Sequence, residues 1–176
     1  MRIITGRYKG RHFDVPRTFK ARPTTDFAKE NVFNVLTAYI DFEDAVALDL
    51  FAGTGSITLE LLSRGCRQVV SVELDRDHHR FITDCLKNLG TTACQPLRAD
   101  VFRFVKGCHT QFDFIFADPP YALPQLPQVP ELIFEHGLLK EGGVFVFEHG
   151  KDNDFSQHPR FVEHRSYGSV NFTLFR

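Results

Sequence analysis

Four acidic side chains stand where buried-looking stretches of this 176-residue chain end. Asp49 lies near the end of Ala45–Leu50 and leads into Phe51-Ala52-Gly53-Thr54-Gly55. Glu73 ends Gln68–Glu73, Asp100 follows Cys94–Leu97, and Asp118 follows Phe112–Ala117. Gly53 and Gly55 let the backbone pass close to a ligand, and the helix expected after them offers free amide N–H groups. A dinucleotide fingerprint would place a third glycine at position 58, where Thr58 stands, and would not set an acid at Asp49 beside a pyrophosphate. The loop therefore suits a nucleoside without phosphates, preferably a cationic one. Glu73, 18 residues after Gly55, can accept hydrogen bonds from both hydroxyls of a ribose. Asp100 can accept from the exocyclic amine of an adenine. Each acid alone would serve equally well as a helix cap or surface group. Together they suit S-adenosylmethionine, which carries an ammonium, a sulfonium, a ribose and an adenine but no phosphate.

Asp118 also opens the run Asp118-Pro119-Pro120-Tyr121. A strand end needs one proline at most, so the second proline and the flanking acid and aromatic ask for a chemical reason. An exocyclic base amine is a poor nucleophile because its lone pair is delocalised into the ring. A carboxylate and a backbone carbonyl such as that of Pro119, accepting both amine hydrogens, would favour pyramidalisation and aim the lone pair at a methyl group. The prolines stiffen the carbonyl. Tyr121 offers a flat face for a base, worth about 1–3 kcal/mol by stacking. With an ordinary Asp pKa of about 3.9, Asp118 is expected to be ionised and acceptor-only at neutral pH. Catalysis then rests on positioning and electrostatics.

These residues require a scaffold that gathers strand ends. Apolar spacing predicts a helix over Asp26–Ile40, capped by Thr24 or Thr25 with Asp26 near its positive end. Strands are expected at Ala45–Leu50, Gln68–Glu73, Cys94–Leu97, Phe112–Ala117 and Gly143–Glu148. Helices alternate with them at Ser56–Arg64, Asp77–Leu89, Val101–Lys106 and Glu131–Leu138, and Ala122–Pro130 reads as a proline-rich loop. Phe161–Ser166 and Val170–Phe175 form a closing antiparallel hairpin, and Arg2–Thr5 with Arg11–Val15 a small N-terminal β-hairpin around Gly6–Gly10. The pattern predicts an α/β fold: a mostly parallel seven-stranded sheet with helices on both faces. Ligands in such sheets bind beyond the carboxyl ends of the strands.

Composition adds limits. Net charge is −1, yet residues 1–25 hold seven basic side chains against Asp14 alone, a net +6 that leaves −7 on the rest. Such polarity fits a basic patch for phosphates beside an acidic remainder for a cation. Cys66, Cys85, Cys94 and Cys108 include no C-x-x-C pair, so no metal site is expected and reduced thiols are. No apolar run approaches a membrane span and no signal peptide pattern follows the basic start, so a cytoplasmic protein is expected.

At this point the chain resembles class I S-adenosylmethionine-dependent methyltransferases and, more narrowly, the bacterial RsmD family of 16S rRNA guanine-N2 methyltransferases. The resemblance is carried by RPTTD at Arg22–Asp26, VFNVL at Val32–Leu36, LDLFAGTGS at Leu48–Ser56, LLSRG at Leu61–Gly65, VELD at Val72–Asp75, DPPY at Asp118–Tyr121 and the ending YGSVNFTLF. It implies a Rossmann-like fold and a cofactor site of Arg22, Thr24, Thr25, Asp49, Phe51, Ala52, Gly53, Thr54, Gly55, Glu73, Leu74, Asp100 and Val101. It also implies that Asp118, Pro119, Pro120 and Tyr121 hold the guanine amine of a base that is extruded or already unpaired. Residues 1–25 become a basic arm on RNA, through Arg7, Lys9, Arg11, Arg17 and Lys20, and residues 26–176 a single methyltransferase domain. The implied reaction moves a methyl group from S-adenosylmethionine, leaving S-adenosylhomocysteine, to the N2 amine of a specific guanine in small-subunit ribosomal RNA. The implied setting is a monomer acting on an assembling subunit. The alternative is an amine of another nucleobase, such as adenine N6 in DNA or in a different RNA. A nicotinamide dehydrogenase is disfavoured by Thr58 and Asp49, and a protein glutamine methyltransferase by Asp118, where that group tends to use Asn. A third reading is a non-catalytic RNA-binding module.

Overall fold

The computed structural model describes residues 1–176. Five parallel strands alternate with helices: β1 Val46–Leu50, β2 Gln68–Glu73, β3 Cys94–Arg98, β4 Phe112–Ala117 and β5 Leu139–His149. The strands β6 Phe161–Tyr167 and β7 Val170–Phe175 close the chain, with β7 antiparallel to both β5 and β6. The sheet order is β3-β2-β1-β4-β5-β7-β6, so the chain reverses its direction of growth between β1 and β4. That reversal opens a crevice at the carboxyl ends of these two strands.

Helices α1 Asp26–Leu36, α2 Ser56–Ser63 and α3 Arg76–Leu89 cover one face, packing Phe33, Ile57, Leu61, Ile82 and Leu86 over Ala47, Val69, Phe114, Phe116 and Val146. Helices α4 Val101–Gly107 and α5 Val129–Glu135 cover the other, over Leu48, Leu50, Val72, Ile115, Phe145 and Phe147. The split follows the strict alternation of side chains along a strand. It also decides where the acids point. Asp49 continues the face of Ala47, Asp118 that of Phe116, and Glu148 that of Val146.

Four elements differ from the sequence expectation, each for a visible reason. The N-terminal segment forms only a short hairpin around one antiparallel bridge, Arg2 to His12, with Ile3 N donating to Arg11 O at 3.0 Å and Phe13 N to Met1 O at 2.9 Å. Its next amides turn instead to α2: Ile4 N and Thr5 N donate to the carboxylate of Glu60, at 2.9 and 3.1 Å. Helix α1 stops at Leu36, and Tyr39 and Ile40 pack from a turn. Helix α5 starts earlier, at Val129, after a 3₁₀ turn over Leu126–Gln128, because Pro130 sits in the first helical turn where no N–H is needed. Strand β5 starts at Leu139, before the two glycines. A Cβ on Gly143 would lie 2.8 Å from the carbonyl oxygen of Asp113, so only glycine allows the approach of β4 and β5 there.

Glu60 is the hub of a buried network that ties the basic N-terminus to the core. Its side chain is fully buried, with Lys29 Nζ at 3.6 Å and Arg64 Nε at 2.9 Å. Lys29 Nζ also donates to Arg2 O at 2.6 Å and Ser56 Oγ at 3.0 Å. Burial lowers the Lys29 pKa, opposed by the charge of Glu60. Enough donors and acceptors converge to hold these charges away from water.

Candidate active site

The crevice is a cavity of about 1020 Å³ lined from every element that ends at the carboxyl edge of β1, β2, β3, β4 and β5. Its first wall is the turn after β1. Phe51 and Gly53 adopt left-handed backbone at φ 57° and 58°, and Gly55 at φ 82°. A phenylalanine in that region is uncommon and is held by its surroundings. Ala52 N donates to Val72 O at 3.0 Å, Gly53 N donates to Glu73 Oε1 at 2.8 Å, and the Phe51 ring meets Phe102 edge-on. The turn is thus stitched to β2 by Glu73 itself. Both Glu73 oxygens already accept one amide, Oε2 from Asp75 N at 2.7 Å, and each keeps capacity for a further donor.

Asp49 lies beneath this turn, 1% exposed, and its Oδ2 accepts from Thr58 Oγ1 at 2.7 Å. Thr58, the residue that spoils a dinucleotide fingerprint, therefore has a positive role here. Burial pushes the Asp49 carboxyl up to about 7; the Thr58 hydrogen bond pulls it down and the charge of Asp118 pushes it further up. Asp100 caps α4, accepting from Phe102 N at 2.8 Å and Arg103 N at 3.2 Å through Oδ1, and lines the cavity beside Val101.

A strap from the N-terminal segment closes the cofactor side. Lys20, Arg22, Thr24 and Thr25 line the cavity, and the Cβ of Ala21 stands 3.6 Å from where a Gly53 side chain would begin. Phe19 anchors the strap on His78 and Phe81, with ring centroids 4.5 and 5.6 Å apart. Arg22 donates to the carbonyls of Pro16 and Arg17, so its guanidinium braces the strap. Thr25 Oγ1 then caps α1 by accepting from Ala28 N at 3.2 Å.

The opposite wall is Asp118-Pro119-Pro120-Tyr121. Asp118 N donates to Leu50 O at 3.2 Å, which fixes this wall to β1. The Tyr121 ring lies against Gly150, where an added Cβ would be 3.3 Å from Cδ2, and remains half-exposed. Asp118 opens onto the cavity and is otherwise enclosed by protein. It is not the ordinary ionised carboxylate expected from sequence: burial first, then the charge and hydrogen bond of Glu148, hold its pKa well above the usual range. Glu148 is the site residue that the sequence reading missed. It ends β5 just as Asp49 and Glu73 end their strands, and the same rule, carried to the fifth strand, finds it.

The cavity brings together every expected cofactor and catalytic residue except Gly55, which caps α2 and faces Ile82. Of the expected RNA contacts Lys20 alone lines it. Arg7, Lys9, Arg11 and Arg17 lie exposed elsewhere, with Arg7 over the Tyr8 ring and Arg11 hydrogen-bonded to Asn88. No cluster of His, Cys, Asp and Glu is placed to hold a metal ion, and no helix is long and apolar enough to cross a membrane.

Comparisons with known proteins agree over the whole chain. The family model described as conserved hypothetical protein 95 matches residues 1–176. Ribosomal RNA small subunit methyltransferase D of Haemophilus influenzae is 32% identical, covering 100% of this chain and 93% of its own. The protein of the same name from Escherichia coli is 31% identical, covering 100% and 89%. Among solved structures, the putative methyltransferase yhhF from Escherichia coli superposes with a TM-score of 0.87 at 27% identity, covering 99% of this chain and 96% of that one.

Proposed function

The chain belongs to the conserved hypothetical protein 95 family, the RsmD family of ribosomal RNA methyltransferases, and from that premise we propose that it methylates the exocyclic N2 amine of a specific guanine in small-subunit ribosomal RNA. The observation that carries the reading is the facing of two walls across one cavity. One wall offers acids and a left-handed glycine turn, and the other offers Asp118, a stiffened carbonyl and a half-exposed Tyr121.

The acid-rich wall fits S-adenosylmethionine by its donor set. Asp49 would take the ammonium, Glu73 the ribose hydroxyls and Asp100 the adenine amine. When bound, the cofactor supplies a methyl group on a sulfonium. The protein supplies the rest. Tyr121, braced by Gly150, stacks the target base. Asp118 and the Pro119 carbonyl accept the amine hydrogens and turn its lone pair toward the methyl donor. Pro119 and Pro120 keep that carbonyl from drifting. A base must leave its stack to reach this depth, so the substrate region is unpaired or opened on binding. The exposed basic residues Arg7, Lys9, Arg11, Arg17 and Lys20 meet the surrounding phosphates. The setting we propose is cytoplasmic, with a monomer working on an assembling small subunit.

The test uses ribosomal RNA and small subunits from cells lacking this protein. Incubation with the protein and labelled S-adenosylmethionine should add one methyl group per small-subunit RNA, mapped to a guanine and recovered as N2-methylguanosine. A methylated adenine, or label in another RNA, would refute the guanine assignment. No transfer to either substrate would refute the reading as a whole.

A further inference from the structure

We propose that Glu148 is the terminal acceptor of the proton that leaves the target amine, and that Asp118 relays it. This rests on the amine-methylation reading above and gives that site a proton path. The backbone sets the geometry. Ala117 and Phe147 are register partners on β4 and β5, so Asp118 and Glu148 stand opposite each other one step further along. Both side chains fall on the face of Phe116 and Val146, and both line the cavity. Glu148 is 5% exposed. From the other elements around it, Asp49 of β1 and the Tyr121 hydroxyl face the pair. No salt bridge joins Asp118 or Glu148 to a basic side chain.

Two carboxyl groups placed side by side without a cation do not both ionise, and one proton is retained between them. Burial raises both carboxyls, and in the relay Asp118 holds the shared proton and donates it to Glu148. A protonated carboxyl has two faces. Its carbonyl oxygen accepts an amine N–H while its hydroxyl donates to Glu148. As the amine nitrogen forms its bond to the methyl carbon, the sulfur–methyl bond breaks and its electron pair stays on sulfur. The nitrogen becomes cationic and one N–H bond must break, leaving its electrons on nitrogen. That proton moves to the carbonyl oxygen of Asp118, and the hydroxyl proton of Asp118 moves to Glu148. The pair goes from one negative charge to none as the sulfonium goes from one positive charge to none. The step thus neutralises the sulfonium and the carboxyl pair together. Product release then lets the doubly protonated pair return one proton to water.

Two measurements test this. Infrared spectra taken across a pH titration should show a protonated-carboxyl band that persists above the ordinary carboxylate range and is distinct from that of Asp49, whose pKa is about 7. The band should vanish in Asp118→Asn and shift in Glu148→Gln. Its absence from the wild-type protein would overturn the relay whether or not either variant folds. Single-turnover methylation at saturating cofactor should show an acid limb above the ordinary carboxylate range in the wild type. Glu148→Gln should be slower by about 10²-fold and lose that limb. Its cofactor affinity should stay within about twofold, and Glu148→Asp should recover part of the limb. A wild-type rate and profile in a folded Glu148→Gln would overturn the proposal. A wild-type protein that methylates no ribosomal RNA would instead defeat the underlying reading, while the infrared result would still stand or fall on its own.

Discussion

Asp49 should make cofactor binding depend on pH, with a sign and size set by its burial. The side chain is 1% exposed and its carboxyl is raised from 3.8 to about 7, burial being the first cause. A raised acid is neutral below its pKa, whereas the ammonium of the cofactor needs it ionised. Binding must therefore expel a proton at low pH, and affinity must increase with pH until about 7 and then level. At about pH 6 roughly one free protein in eleven has Asp49 ionised, so affinity should be about tenfold below its plateau, or about 1.4 kcal/mol. Calorimetry in two buffers of different ionisation enthalpy should find nearly one proton released per cofactor at that pH and almost none at about pH 8. Asp49→Asn should bind more weakly at every pH and lose the slope. The same shift acts on stability with the opposite consequence. Because the folded pKa lies above the unfolded one, the ionised form is penalised, and stability falls as pH rises from about 4 to about 7. The penalty is at most about 4 kcal/mol, so Asp49→Asn should resist urea better than the wild type at neutral pH. A flat wild-type affinity would refute the assignment. So would an Asp49→Asn protein that keeps the full slope, which would move the titration to Asp118 and Glu148.

Three further outcomes can be checked directly. Asp118→Ala should lower the methylation rate by at least about 10³-fold while cofactor affinity changes by less than about twofold; a near wild-type rate would remove Asp118 from the chemistry. Neutralising Arg7, Lys9 and Arg11 should weaken RNA binding and reduce its dependence on salt by about 0.7 logarithmic units per lost phosphate contact, with Arg11 contributing least because it is tied to Asn88; an unchanged slope would make the segment a bystander. Glu60→Ala strands the buried Lys29 and the amides of Ile4 and Thr5, and should cost about 3–5 kcal/mol in urea unfolding; a loss under about 1 kcal/mol would show that the N-terminal segment docks without it.

The elements most legible in the sequence are those whose side chains report one environment. Helix α3 has a single apolar face, capped by Asp75 and stopped by Gly90 at φ 70°, and its spacing leaves little choice. Strands β1, β2, β4 and β5 carry apolar runs with an acid at or just beyond their ends, so both their positions and the location of the crevice could be read. Periodicity was less informative where a tertiary contact decides. Pro130 reads as a loop residue until Leu126, Val129 and Ile133 are seen packed on the second face. Arg2–Thr5 has the composition of a strand, and Ile3 does pair with Arg11, yet Glu60, 56 residues after Ile4, captures the amides of Ile4 and Thr5 and ends the pairing there.

Asp118 and Glu148 mark a different limit. A motif is a run of neighbours along one chain segment, so it could name Asp118 and its prolines but not the group across the sheet. The charge state expected for Asp118 followed from treating it alone. Its actual state depends on the β4–β5 register, which pairs Ala117 with Phe147 and so sets one acid against another. That register depends in turn on Gly143, the residue small enough to pass the Asp113 carbonyl. A larger side chain at 143 would disturb the strand pairing five residues before Glu148 and thereby separate the two carboxyls. Gly143→Ala should then return Asp118 toward an ordinary carboxylate, visible as a weakened protonated-carboxyl band, without touching any residue of the cavity. An unchanged band in a folded Gly143→Ala would show that the pair is held by its own contact and not by the register behind it.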